Sequence, residues 1–271
     1  VDYTLEINPV ILFGKEKLIA YFSFPNKKKK AFVTLDHFSK ESFFEGLEQL
    51  KSILHESHSF EKIQTGEQFF PSVNFFIDNL KAQENDQSIN SAILYFGLPK
   101  EKIYWDYQNS KRTFKIKIKK INQTFVEELH EIVQKCPEIL LRLDFNRSLT
   151  NQDLKLIELL PMNHVDYLEE PTKNNLELIK KWPQKIALDE TFRHFPNRIN
   201  QDAVYIIKPL LTNNYRKQIE KLLQKNLRVI ISSAFEMPCG INLLKNIIFD
   251  YKLDSETHGL DTYKYYGLPG I

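Results

Sequence analysis

From residue 92 onward the chain repeats one pattern: a short apolar run, a charged or polar tip, then a helical stretch. The runs read AILYF, FKIKI, LLRLD, VDYLE, KIALD, AVYIIK, LRVIIS and, more weakly, HGLDT. Runs this short and this rich in β-branched residues read as strands, and amphipathic segments separate most of them. In TFVEELHEIVQKCP, Phe125, Val126, Leu129, Ile132 and Val133 share one face before Pro137 stops the helix; NNYRKQIEKLLQKN does the same with Tyr215, Ile219, Leu222 and Leu223. Strands joined through helices pair in parallel, either closed into a (β/α) barrel or left as a doubly wound open sheet. The open sheet usually carries a glycine-rich phosphate loop, whereas this chain has 8 glycines and no G-x-G-x-x-G or P-loop. The pattern predicts a modified (β/α) TIM-like barrel over residues 91–271, ending in a short C-terminal tail.

Residues 1–90 read differently, as an N-terminal α+β capping domain. VDYTLEINPV, LIAYFSF and AFVTLDHF form a small antiparallel sheet. A helix capped by Ser39 follows, with Phe43, Phe44, Leu47, Leu50, Ile53 and Leu54 as its core face, and a second helix begins at Pro71. The polar stretch QENDQSIN is the linker.

Composition narrows the function. A net charge of +2 over 271 residues gives no reason to expect a nucleic-acid partner, and the run Lys27 to Lys30 reads as a solvated hairpin turn. No stretch of eighteen apolar residues would span a membrane, and VDYTLEINPV has no signal-peptide pattern. Cys136 and Cys239 lack metal-ligand neighbours and read as reduced thiols, so the expectation is a cytoplasmic protein.

The tips of the runs carry the chemistry. In a (β/α) barrel the C-terminal strand ends converge on one point. Asp144, Glu169 and Asp189 end three successive runs, 25 and 20 residues apart. Neighbouring strands lie about 4.8 Å apart, so the three carboxylates are expected to share one ion, and hard oxygen donors in a compact set suit Mg²⁺. Lys115 and Lys117 lie on the strand before and Lys208 on the strand after. A lysine crowded by other cations and a divalent ion loses its proton more readily and can serve as a base. Each motif alone has a plainer reading: KIKIK as an edge strand, EEP as a loop start, Asp189 and Glu190 as a helix cap. The order K-x-K, D-x-N, EEP, DE, KP on five successive strand ends is what points to a site.

At these residues the chain resembles the enolase superfamily and, within it, the o-succinylbenzoate synthases. FKIKI, LRLDFNR, YLEEP, IALDETFR, IIKP, VIISSAFE and HGLDT match family motifs in order. A lysine base working with Mg²⁺ is established for that superfamily. The resemblance implies Asp144, Glu169 and Asp189 as Mg²⁺ ligands, Lys117 as acid/base, Lys208 facing it across the substrate, and Lys115 supporting the substrate carboxylate. It further implies Asn146, Ser232, Ser233 and Gly259 as substrate-binding positions, and a small-molecule carboxylate as substrate. The implied reaction is syn dehydration of 2-succinyl-6-hydroxy-2,4-cyclohexadiene-1-carboxylate.

The chain departs from the family pattern in four places. Lys119 stands where a glycine is expected, which leaves Lys117 with Lys119 as an alternative K-x-K register. The first hairpin loop, VILFGKEK, and the segment TLDHFS are shortened, and AFEMPCG replaces a serine-rich turn. The competing readings are an N-acylamino acid racemase or epimerase and a non-catalytic barrel. His130, His164 and His258 have no partner in the motifs and read as surface or packing residues.

Overall fold

The computed structural model describes residues 1–12, 15–25, 30–34, 39, 41–57, 59, 62–183 and 185–266. Lys27–Lys29, the hairpin tip Phe13–Gly14 and residues 35–38 of TLDHFS lie outside the described residues. The N-terminal sheet pairs β1 (Thr4–Leu12), β2 (Lys15–Ser23) and β3 (Lys30–Phe32) antiparallel in that order. Helices α1 (Phe43–Glu56) and α2 (Pro71–Lys81) cover one face of it. The core between them is aromatic, with the Phe76 ring 5.0 Å from Phe22 and 6.0 Å from Phe32.

Local chemistry shifts three expectations in this part. Ser42, rather than Ser39, caps α1: its Oγ accepts from the Glu45 N–H at 3.3 Å, while Glu45 Oε2 accepts from the Ser42 N–H at 2.8 Å. Only Ser42 has a glutamate three residues on to complete that reciprocal pair. Phe44 is 58% exposed, because it lies one position, about 100° of rotation, off the Phe43–Leu47–Leu50–Leu54 stripe. Lys30 belongs to β3 and is buried, its Nζ donating to Asn79 Oδ1 on α2 at 3.4 Å. The solvated turn expected for the lysine run does not extend to it.

The second sheet contains β4 (Ile93–Phe96), β5 (Thr113–Lys117), β6 (Leu140–Asp144), β7 (Val165–Glu169), β8 (Ile186–Leu188), β9 (Ala203–Ile207) and β10 (Val229–Ile231). All seven pair in parallel and in chain order. The weak eighth run closes the ring through two bridges, Ser232 with Gly259 and Ser91 with His258. The His258 N–H donates to Asn90 O at 2.7 Å, and its carbonyl accepts from the Ala92 N–H at 2.8 Å. Helices α3 (Lys100–Gln108), α4 (Gln123–Lys135), α5 (Leu154–Ile157), α6 (Leu176–Lys181), α7 (Glu190–His194), α8 (Tyr215–Leu223) and α9 (Pro238–Asp250) stand on the connections. KIKIK is not an edge strand, since β5 lies between β4 and β6.

Strand alternation divides the barrel into two chemistries. Outward residues such as Phe114, Ile116, Leu141, Leu143, Ile186, Tyr205 and Ile207 join the helices in one apolar core. Inside, Tyr167, Ala187, Val204, Ile206 and Ile230 form a small separate cluster. The next inward position on β7 is Glu169; on β8 and β9 it lies just past the strand end, at Asp189 and Lys208. An apolar plug therefore sits beneath a charged rim.

The N-terminal part leans on α9. Phe75 of α2 packs against Gly240, where a Cβ would stand 3.3 Å from the Phe75 ring and 2.7 Å from Glu236 Cβ. Only the absence of a side chain permits that approach. Asn242 and Asn246 of α9 each donate to Gln83 O, at 2.7 and 2.8 Å, and hold the linker down. At the other end of the chain Tyr266 bridges to Leu12, tying β1 to the barrel.

His258 makes barrel closure sensitive to pH. Its Nδ1 accepts from the Ile231 N–H at 3.1 Å and its Nε2 meets Leu253 O at 3.0 Å, in a fully buried setting. Burial lowers its pKa from 6.5 to about 4. Between those values the unfolded chain binds the proton and the folded chain does not. The contribution is complete above pH 6.5, amounts to about 3 kcal/mol, and is lost as pH falls toward 4. Urea unfolding at pH 7 and pH 4.5 should show a larger fall in stability for the parent than for His258→Gln; equal falls would remove this residue from the acid response.

Candidate active site

The charged rim is assembled by parallel register. Lys117 pairs with Asp144 and Asp144 with Glu169, so the tips of β5, β6 and β7 stand level. Asp189 follows β8 and Lys208 follows β9 on the same inward faces. Asp144, Glu169 and Asp189 are each 3% exposed or less. Leaving three carboxylates this dry without counter-charge would be prohibitive.

Lysines supply that counter-charge in the structure. Lys115, itself buried, places Nζ 2.6 Å from both oxygens of Glu169 and 3.2 Å from Asp144 Oδ2. Lys117 Nζ lies 3.5 Å from the same Asp144 oxygen, and Lys208 pairs with Asp189. Burial alone would lower the Lys115 pKa, but Asp144 and Glu169 outweigh it and hold it above the ordinary value. Burial likewise works against ionised Asp144, yet Lys115, Lys117 and Lys208 keep it well below the usual carboxylate range. For Glu169 the balance falls the other way: burial and the charge of Asp144 push it up to about 7 despite Lys115.

The donor set fits Mg²⁺ in chemistry, with three hard carboxylates on adjacent tips. Asp144 Oδ2, although near Lys115, accepts no well-aligned hydrogen bond and is buried. The expectation of three carboxylates already gathered round one point needs correction, however. Among the described residues no three His, Cys, Asp or Glu side chains stand in such a group. Each acid pairs with an ammonium instead, Lys115 lying between Asp144 and Glu169 and Lys208 against Asp189.

Two buried acids outside the predicted set lie in the barrel domain, and the first positions the rim. Glu170, the second glutamate of EEP, is fully buried with φ at 43°. Its Oε1 accepts the N–H groups of Asp189 and Thr191 at 2.9 and 2.6 Å, and its Oε2 accepts from Arg147 Nε at 2.9 Å, Asn175 Nδ2 at 3.0 Å and the Thr191 hydroxyl at 2.7 Å. It thereby locks the β6, β7 and β8 tips together. Glu236, reached from β10, is buried with Oε2 accepting the Ala234 N–H at 2.5 Å and Oε1 unpartnered; burial pushes it up to about 7. The doubled glutamate was the available signal for the first. Nothing in the sequence marked the second.

The rim opens into a cavity of about 40 Å³ lined by Lys115, Lys117, Asn146, Glu190, Arg193 and Lys208 on one side. Ser232, Ser233, Gly259 and Asp261 line the other. Lys117 and Lys208, on strands separated by three others, both line this cavity. Asn146, with φ at 46°, donates its N–H to Asp144 Oδ1 at 3.3 Å. The serine hydroxyls are already engaged: Ser233 Oγ donates to Gly259 O at 2.9 Å and Ser232 Oγ lies 3.3 Å from the same atom. Lys119 lies beyond β5 and is exposed, so the strand register turns Lys115 and Lys117 inward.

The fold, an antiparallel N-terminal sheet domain joined to a TIM-like barrel, is shared with several solved structures. An o-succinylbenzoate synthase from Thermosynechococcus elongatus BP-1, complexed with Mg in its active site, superposes with a TM-score of 0.73 at 15% identity, covering 100% of this chain and 95% of that one. A dipeptide epimerase from Enterococcus faecalis V583 gives 0.73 at 16% identity, covering 98% and 91%. An N-succinyl Arg/Lys racemase from Bacillus cereus ATCC 14579 gives 0.71 at 14%, covering 97% and 85%. No protein-family model and no curated protein matches the chain. Among the described residues no helix is long and apolar enough to cross a membrane.

Removing Lys115 tests the charge balance. Lys115→Met leaves Asp144 and Glu169 buried without their shared ammonium, and is expected to cost about 3–5 kcal/mol in metal-free buffer. Millimolar Mg²⁺ should restore a large part of that loss in urea unfolding. A variant whose stability Mg²⁺ leaves unchanged would show that these acids do not gather a cation.

Proposed function

We propose that this protein is an o-succinylbenzoate synthase, a carbon–oxygen lyase that uses Mg²⁺. The observation that carries the reading is Lys117 and Lys208, from strands separated by three others, lining one cavity over a rim of three buried carboxylates. Asp144, Glu169 and Asp189 would hold the ion, which when bound supplies fixed positive charge beside the substrate carboxylate. Lys115 would then turn from the acids toward that carboxylate.

Lys117, as the neutral amine, takes the proton alpha to the carboxylate. The electron pair left on carbon delocalises toward the carboxylate, and Lys208, held by Asp189, stays cationic beside the developing charge. The carbon–oxygen bond to the ring hydroxyl then breaks, and Lys117 returns its proton to the departing oxygen. Water leaves and the ring becomes aromatic. One lysine on one face performs both transfers, which is what a syn elimination requires.

A racemase acting on N-acylamino acids is supported by the same two lysines, since two amines in one cavity could each exchange an alpha proton. A free-amine dipeptide fits less well. Asp261, the acid at the eighth tip, accepts from the Leu94 N–H at 2.9 Å and pairs with Lys264, so its charge is committed within the fold.

The test is incubation with the hydroxycyclohexadiene carboxylate and Mg²⁺, following the aromatic product by ultraviolet absorbance, then adding excess EDTA. Turnover that EDTA abolishes is the expected result. Lys117→Ala should lower kcat by at least about 10²–10⁴-fold while leaving the fold and Mg²⁺ binding intact. Activity within a few-fold of the parent would sink the assignment, and racemisation of an N-succinylamino acid without dehydration would favour the second reading.

A further inference from the structure

The cavity over the rim, at about 40 Å³, is far smaller than the about 300–1,000 Å³ of ordinary ligand sites. A substrate whose reacting carbon lies beside Lys117 must therefore extend elsewhere. On the β10 side there is little room: Gly259 approaches so closely that a Cβ would stand 2.8 Å from Ser232 Oγ. Both serine hydroxyls there point at a backbone carbonyl and offer no free donor to an anion.

On the β5 side the cavity continues. Lys117, Asn146, Glu190 and Phe235 line both it and a groove of about 870 Å³. The groove walls are apolar at Phe96, Phe125 and Phe235, and its rim carries Lys119 and Lys120, both exposed. These two cations are not on a wandering loop. Ile118 and Ile121, each under 5% exposed, anchor the segment on either side, and the Ile118 N–H donates to Asp144 O at 2.8 Å.

The junction between cavity and groove is held under backbone strain. Phe235 has φ at 61°, a region that bulky side chains rarely adopt. Its N–H donates to Thr262 Oγ1 at 3.0 Å and its carbonyl accepts from the Tyr266 hydroxyl. Such strain survives only where surrounding contacts over-determine it, and it clusters at ligand sites. Here it sets an aromatic ring at the passage from reacting end to groove.

We infer that the groove is a second subsite for an anionic group carried on an apolar arm of the substrate. The arm runs past Phe235 and along Phe125, and Lys119 and Lys120 meet its terminal carboxylate. This rests on the proposed lyase reading only for which end of the substrate reacts. The lysines act as specificity determinants, without touching the reacting atoms.

The experiment measures binding rather than turnover. In Mg²⁺ buffer, isothermal titration calorimetry compares o-succinylbenzoate with its succinyl monomethyl ester, and an N-succinylamino acid with its N-acetyl counterpart. The parent is expected to prefer the charged arm at least tenfold in at least one pair, more at low salt than at high salt. Lys119→Ser/Lys120→Ser, at exposed positions, should erase that preference while leaving Kd for the neutral-arm ligand within about twofold. No preference in the parent, or a preference the double variant keeps, overturns the subsite. A preference seen only for the N-succinyl pair, in a protein that does not dehydrate the cyclohexadiene, supports the groove while the lyase reading falls. Dehydration without any preference does the reverse.

Discussion

Negative charge held out of water at the strand tips is the constraint to which the rest of the molecule conforms. Asp144, Glu169 and Asp189 sit on a barrel plug of Tyr167, Ala187, Val204, Ile206 and Ile230. Their counter-charge has to come from the same layer, and the lysines at the ends of β5 and β9 provide it. A buried ion cluster of this kind adds little to stability, because desolvation offsets most of the Coulombic gain.

Below the plug a second ion cluster behaves differently. Arg142 donates through Nε to Asp166 at 2.8 Å, and Arg228 clamps Asp166 with two nitrogens at 2.6 and 3.2 Å while also holding Glu256. Every acid there has an arginine with fork geometry, suited to a permanent contact. The upper layer uses lysines, whose single ammonium can swing to another partner. One barrel thus carries a structural ion cluster at its base and an exchangeable one at its mouth. Asn146, Arg147, Glu170 and Phe235, all at positive φ, lie around the mouth.

Much of this was legible because it depends on period. Alternation along FKIKI, LLRLD and VDYLE separates inward charge from outward apolar residues, and the eight runs correspond to seven strands and the bridging segment at His258 and Gly259. What escaped depends on neighbours distant in sequence. Lys30 looked like part of a solvated run until α2 brought Asn79 against it. Glu170 looked like a loop residue, yet it is satisfied by groups from β6, β8 and α6 that only the barrel collects.

The sequence by itself determined the barrel and the identity of the residues at its rim, because local hydrophobic period and chain order suffice for each. The tertiary structure alone decided how those charges pair. It also decided that Ser232 and Ser233 are occupied by Gly259, and that the open path from the cavity runs toward Lys119 and Lys120. The reason is physical: pairing, burial and free volume are properties of groups brought together from different strands, and no window along a single chain contains them.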